Sequence, residues 1–185
     1  MVKNLIRKSL LEQGQLLSKN FVHKANIDIQ NAAIKHLDIK SSKNILSYFP
    51  YKNEVTLEII SQEFEKHKNN IFMPRIVSAN KLKFNLFKEN ATLEKNKYGI
   101  NEVKNEEYLD SASFDLMFIP FVGVDKGGYR LGYGGGYFDR SLENISFTEK
   151  KPIIVGLGYD FQILEESFAE SHDLKYDIVI TQTRI

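Results

Sequence analysis

The run FDLMFIPFVGV, Phe114–Val124, decides how this chain folds. Only Asp115, Pro120 and Gly123 interrupt its apolar residues, the pattern of a strand covered on both faces. Such strands belong to parallel sheets flanked by helices, so strand and helix should alternate around it. Upstream, NILSYF (Asn44–Phe49) is a short apolar run stopped by Pro50. Downstream, PIIVGLGY (Pro152–Tyr159) and YDIVIT (Tyr176–Thr181) supply two more strands, with a short helix possible between them. Helical spacing links Leu5, Ile6 or Leu10, Gln13 and Leu16 or Leu17, with Lys3, Lys8 and Glu12 toward water. It returns over Ile27–Leu37 and over Val55–Lys68, through Leu57, Ile60 and Phe64. NIFMPRIV (Asn70–Val77) reads as a strand, and KLKFNLF (Lys81–Phe87) alternates as a half-exposed one does. Ala91–Ser113 is polar and weakly periodic, and is expected to wrap the surface. The order predicts one α/β domain, residues 1–185, around a largely parallel sheet.

In such sheets a ligand sits beyond the carboxyl ends of the strands. The residues that follow Val124 are DKGGYRLGYGGGYFDR, and six of the chain's eleven glycines lie between Gly127 and Gly136. So few side chains let backbone N–H groups approach a ligand closely. A helix predicted to begin near Tyr137 adds partial positive charge at its start. Arg130 and Arg140 bracket the loop. Glycines also serve tight turns, but six of them interleaved with two arginines, three tyrosines and Asp139 favour an anion, and first of all a phosphate. The loop has no Gly-Lys-Ser/Thr ending of a P-loop. Gly132-x-Gly134 is followed by Tyr137 where a dinucleotide fingerprint needs glycine or alanine. The residues alone specify an anion loop and no more.

Composition narrows the classes. The chain carries 25 Lys and Arg against 24 Asp and Glu, a formal charge of +1, so no overall field draws it to nucleic acid or to an acidic membrane. It has no cysteine, which excludes disulfides, thiolate metal sites and thiol catalysis. No apolar run approaches the roughly 20 residues needed to cross a bilayer. Charges run through the apolar positions of the N-terminal segment, which reads as an amphipathic helix and not a signal peptide. A cytoplasmic protein without nucleic-acid or membrane partners is expected.

Outside the loop the candidates are individually ordinary. Lys3 and Arg7, four apart, share one face of the first helix, by default a solvated face. Glu54 follows the turn residues Pro50–Asn53, where a carboxylate complements a helix start. Arg75, after Met73 and Pro74, reads as reaching a strand edge. Asp139 is a helix-start charge and Asp173 a loop acid. His172 adjoins Asp173, but the four histidines show neither metal-ligand spacing nor a nucleophilic partner.

Together these residues resemble the 5-formyltetrahydrofolate cyclo-ligase family, also called 5,10-methenyltetrahydrofolate synthetase. RLGYGGGYFDR, Arg130–Arg140, looks like its most specific signature. Lys3-x-x-x-Arg7, Tyr48-Phe49-Pro50 leading to Glu54, Met73-Pro74-Arg75, Gly156-Leu157-Gly158 and His172-Asp173 follow in the family's order. The chain departs from the family pattern at Val103, at Phe121–Asp125 and at Phe138. The resemblance implies a three-layer α/β/α domain and an ATP- and Mg²⁺-dependent closure of 5-formyltetrahydrofolate to 5,10-methenyltetrahydrofolate. ADP and phosphate are released by way of a phosphorylated formyl group, and the protein is expected to be a monomer or weak dimer. It implies an ATP site of Lys3, Asn4, Leu5, Ile6 and Arg7 with Arg130, Leu131, Gly132, Tyr133, Gly134, Gly135, Gly136, Tyr137 and Phe138. Arg130, Lys3 and Arg7 would serve the chemistry, and Asp139 and Asp173 would hold Mg²⁺. Phe49, Glu54 and Tyr133–Tyr137, including Gly134, Gly135 and Gly136, would face the folate.

Overall fold

The computed structural model describes residues 2–79, 81–145, 150–170 and 172–185. Helices α1 (Val2–Gln15) and α2 (Lys19–His36) precede β1 (Asn44–Leu46), α3 (Glu58–His67), β2 (Asn70–Ser78) and β3 (Lys81–Phe87). Short strands β4 (Leu93–Lys95), β5 (Asn101–Val103) and β6 (Tyr108–Leu109) lead to β7 (Leu116–Phe118), β8 (Gly123–Asp125) and β9 (Arg130–Leu131). Helix α4 (Tyr137–Ser141), β10 (Ile153–Leu157), β11 (Ile163–Leu164) and β12 (Ile178–Ile180) complete the chain.

The main sheet has the order β12-β10-β7-β1-β2-β3-β6. Its first five strands run parallel, and β3 and β6 add antiparallel pairings at one edge. Alternation along the central strands sends Ile45, Leu116, Phe118, Val155 and Leu157 to one face. There they meet Ala25, Ile29, Ala33, Ile60 and Phe64 of α2 and α3. Leu46, Met117 and Ile154 point the other way, toward Phe114, Leu142 and Tyr176. The sheet therefore lies between two outer layers, the second built from α4 and extended segments. No helix among the described residues is long and apolar enough to cross a membrane.

Two differences from the sequence expectation bear on the site. Phe114–Val124 is buried as expected, but it is not one strand. The ladder between β7 and β10 ends at the Ile119 N–H, which donates to the Val155 carbonyl at 3.0 Å. Pro120 has no N–H to continue it. The chain then crosses into a second, three-stranded sheet of order β11-β8-β9, against which α1 packs Leu10 beside Val122 and Leu131. Second, α2 starts at Lys19, well before Ile27, where Ser18 caps it by accepting the Phe21 N–H at 3.2 Å. Asn26 and Gln30 interrupt its apolar face because their amides serve backbone elsewhere. Asn26 accepts the Thr56 N–H at 2.7 Å, and Gln30 accepts those of Ile59 and Ile60 at 2.8 and 3.2 Å. Helix α3 has no side-chain cap of its own and begins only at Glu58, so α2 supplies acceptors for its free N–H groups.

Strand order reverses beside β1. The chain steps from β1 outward to β2, then returns to β1's other side with β7 and continues outward through β10 and β12. The crevice at such a switch point, beyond the strands' carboxyl ends, is where this architecture accepts ligands. Tyr48–Glu54 leave β1 there and Ile119–Phe121 leave β7.

Candidate active site

Two clefts meet at the switch point and share Arg130 and Gly136 as a common wall. One is aromatic and apolar, lined by Phe49, Pro74, Ile76, Leu82, Tyr133, Tyr137 and Phe138, with Glu54 among its few charged groups. The other is charged, with Lys3, Arg7, Arg130 and Arg140 facing Asp139, Glu143, Glu170 and Asp173.

The glycine run divides between a turn and the clefts. Gly127 and Gly128 form the turn of the β8–β9 hairpin, where Asp125 Oδ1 accepts the Gly127 and Tyr129 N–H groups at 2.8 and 3.0 Å. For these two, the tight-turn reading was the right one. Gly132–Gly136 form the loop proper, entered from β9 and not from the main sheet. Gly134 has φ +98°, a backbone setting that favours glycine. A Cβ at Gly132 would lie 2.5 Å from the Arg130 guanidinium, so glycine there lets the loop pass directly over that charge. Helix α4 is only five residues long and starts at Tyr137, with Gly136 as its N-cap.

Arg130 is 7% exposed and fixed at three points. Its Nε donates to the Pro120 carbonyl at 2.9 Å, its Nη1 lies 3.2 Å from Asp139 Oδ2, and its guanidinium stands 5.3 Å from the Phe138 ring centre. Lys3 and Arg7 are not on a solvated face. Lys3 Nζ donates to Asp173 Oδ2 at 2.6 Å and lies 3.1 Å from Glu170, while Arg7 Nε donates to the Gly132 carbonyl at 2.7 Å. Burial works against the charge on Lys3, but Asp173 and Glu170 outweigh it and hold its pKa above the usual value. Burial and the like charge of Arg130 push the Arg7 pKa down. Two guanidinium groups held close enough to repel form a place where an anion gains from both.

Glu54 lies at the edge of the aromatic cleft, partly exposed to it. Burial raises its pKa to about 7, opposed by the Tyr51 N–H that donates to its Oε2 at 2.7 Å and by the charge of Arg130. Near neutrality this carboxyl both donates and accepts hydrogen bonds.

Not every expected residue lines a cleft. Among Lys3–Arg7, Asn4 accepts from Arg7 Nη1 at 2.5 Å, Leu5 is exposed and Ile6 packs into the cluster under α1. Asp139 and Asp173 line the same charged cleft, each already holding a cation. The described acids and histidine whose ligand atoms lie within 4.8 Å of one another are Glu170, His172 and Asp173, without Asp139. Arg75 reaches the Asn105 carbonyl, between β5 and β6, at 3.0 Å.

The polar stretch Ala91–Ser113 contributes more than the sequence suggested. Its β4–β5 hairpin leans over the aromatic cleft and lines it with Asn96, Tyr98, Ile100, Asn101 and Glu102. Glu102 Oε1 ties the hairpin down by accepting the Ile76 N–H at 3.0 Å and Asn96 Nδ2 at 2.8 Å. The Tyr98 hydroxyl lies 3.4 Å from that of Tyr137 in the glycine loop. Asn96 and Gly99 are turn-forming residues that could have marked this hairpin, but nothing local names its partner across the cleft.

Comparison with known proteins adds an independent line. The sequence model of the 5-formyltetrahydrofolate cyclo-ligase family matches residues 1–182. A 5-formyltetrahydrofolate cyclo-ligase of Haemophilus influenzae is 31% identical over 163 residues, covering 85% of this chain and 86% of that one. The solved structure of a 5,10-methenyltetrahydrofolate synthetase from Mycoplasma pneumoniae superposes with a TM-score of 0.80 at 27% identity, covering 98% of this chain and 99% of the other. That of the Aquifex aeolicus 5,10-methenyltetrahydrofolate synthetase gives 0.84, also at 27%, covering 100% and 91%.

Proposed function

This chain belongs to the 5-formyltetrahydrofolate cyclo-ligase family, and from that membership we propose that its charged cleft takes ATP and its aromatic cleft the folate. The reaction is the ATP-dependent closure of 5-formyltetrahydrofolate to 5,10-methenyltetrahydrofolate. A formamide oxygen is a poor leaving group and must first be phosphorylated. The formyl oxygen attacks the γ-phosphorus, and the bond to the ADP oxygen breaks. The neighbouring folate nitrogen then attacks the activated formyl carbon and loses its proton, while phosphate departs with the formyl oxygen.

Such a transfer needs little covalent help and depends on position and charge. The shared wall carries this reading. Arg130 and Gly136 face both clefts, so a γ-phosphate in one and a formyl group in the other would meet beside a buried guanidinium. Arg130 would hold the transferring phosphoryl oxygens, Lys3 and Arg7 the remaining phosphates, and Gly132–Gly136 would offer backbone N–H groups. Asp139 and Asp173 are hard oxygen donors on this cleft and fit Mg²⁺, which would neutralise phosphate charge. Phe49, Tyr133 and Tyr137 would flank the pterin, and Glu54 would hydrogen-bond its amino groups.

Purified protein given 5-formyltetrahydrofolate, ATP and Mg²⁺ is expected to develop the near-ultraviolet absorbance of the methenyl product, to stop with a chelator and to resume with added Mg²⁺. Folded protein that yields no product refutes the reading, and turnover that survives chelation removes the metal from it.

A further inference from the structure

The two tyrosines of the glycine loop are built into matching arrangements at the rim of the aromatic cleft. Tyr133 stands edge-on to Tyr51, ring centres 5.3 Å apart, and Lys52 Nζ lies 5.1 and 5.6 Å from the two rings. Tyr137 stands edge-on to Tyr98 at 6.4 Å, and Lys97 Nζ lies 5.1 and 5.9 Å from those rings. All four tyrosines line the cleft, and both lysines are exposed. Among the described residues, neither ammonium pairs with a carboxylate, whereas Lys3 and Arg130 of the charged cleft both do.

Both lysines are placed by backbone that does not relax freely. Lys52 has φ 55°, left-handed and uncommon for a side chain of this kind, so the turn after β1 is held by its surroundings. Lys97 sits at the tip of the β4–β5 hairpin, where Asn96 Oδ1 accepts the Tyr98 and Ile100 N–H groups at 2.9 and 3.2 Å. Gly99, at φ 80°, completes that turn.

Given the folate reading above, on which this step rests, we infer that Lys52 and Lys97 form the subsite for the glutamate carboxylates of the folate. The formyl group must lie at the wall shared with the charged cleft, and the pterin beside Glu54. The aminobenzoyl-glutamate arm then points out of the cleft, past the tyrosine rim. With Tyr133 and Tyr137 beside the pterin, the edges of their partners Tyr51 and Tyr98 suit the aminobenzoyl ring. The carboxylates beyond it are anions in need of cations, and these two ammonium groups stand at the rim with no acid of their own. Neighbouring tyrosine rings favour the charge of each ammonium, and at Lys97 the Tyr137 and Tyr98 hydroxyls add to it, with no carboxylate to neutralise it.

The test compares equilibrium binding of 5-formyltetrahydrofolate with that of 5-formyltetrahydropteroate, which lacks the glutamate, in the absence of ATP. Exposed pairs of this kind give up to about five-fold each, so the glutamate should tighten binding about ten-fold in the wild type. In Lys52→Gln/Lys97→Gln that ratio should fall to about two-fold or less, and the wild-type ratio should shrink with added salt. Both substitutions are on exposed side chains, so the variant keeps its fold. A wild-type ratio near one, or a ratio that survives the double substitution, overturns the assignment. Failure of both compounds to bind the wild type overturns the folate reading itself.

Discussion

Glu54→Gln separates what the aromatic cleft costs in stability from what it contributes to binding. The folded-state pKa of Glu54 is about 7 against an ordinary 4.5, and burial is the main cause. Between those values the folded protein keeps a proton that the unfolded chain has released. Stability therefore falls as pH rises from the unfolded pKa to the folded one, and is flat above. The full difference is worth about 3 kcal/mol above neutrality, an upper bound because Glu54 keeps some surface in the cleft, and about 1 kcal/mol near pH 5. Glutamine does not titrate, and its carbonyl oxygen can still accept the Tyr51 N–H. The variant should melt higher than the wild type by up to about 6–12 °C near pH 8, but by only about 2–4 °C near pH 5, for a chain of this length. Melting followed by circular dichroism across that range reads the difference directly. A gain that is the same at both pH values, or no gain, refutes the claim that Glu54 is held near neutrality by burial. The same substitution should raise KM for 5-formyltetrahydrofolate, since an amide whose oxygen accepts the Tyr51 N–H turns its NH2 toward the pterin amino groups, donor against donor.

Arg130→Ala should lower kcat by about 10²–10³-fold and destabilise the fold by about 3–5 kcal/mol, because it leaves Asp139 and the Pro120 carbonyl without their partner; single-turnover kinetics and urea unfolding measure the two effects apart. Gly134→Ala places a side chain at φ +98° with its Cβ 3.5 Å from the Arg7 guanidinium. It should cost about 1 kcal/mol or more of stability and raise KM for ATP more than KM for folate; equal rises in both would remove Gly134 from the phosphate side.

Much of the fold was legible because burial on both faces writes itself into Phe114–Val124, Pro152–Tyr159 and Tyr176–Thr181 without regard to distant partners. The exact strand ends were not. Pro120 ends the main-sheet ladder, yet the next residues stay buried because a second sheet receives them, and no local pattern announces that sheet. The start of α2 was hidden by Asn26, a buried polar residue whose reason lies some 30 residues away, at Thr56 before α3. For the site, the glycine loop was visible as chemistry in its own residues, whereas Lys3 and Arg7 entered only through the family resemblance. Their spacing is that of any exposed basic pair until α1 is laid against the loop. Tyr98 and Glu102 were missed because a polar, aperiodic stretch looks the same whether it faces water or closes a cleft.

The charged cleft raises a question that its arginines alone do not answer. Its described walls carry four cations and four carboxylates, so it is not a basic trough. Lys3 is held by Asp173 and Arg130 by Asp139, and a bare triphosphate would have to break those pairs and then face the freed acids. On the proposed reading, a triphosphate that arrives with a divalent cation would meet a smaller penalty. Its oxygens would replace the carboxylates on Lys3 and Arg130, and Asp173 and Asp139 would be left to hold the cation, so both halves of each pair would regain a partner. The ion pairs of the cleft thus keep its buried charge compensated. On the proposed reading they also select for the metal complex of ATP over free ATP, which an excess of positive charge would not do. On the same reading Arg130 stands at the centre of that exchange and on the wall of the folate cleft, so a γ-phosphate that drew its guanidinium from Asp139 would hold it beside the formyl oxygen that attacks the phosphorus.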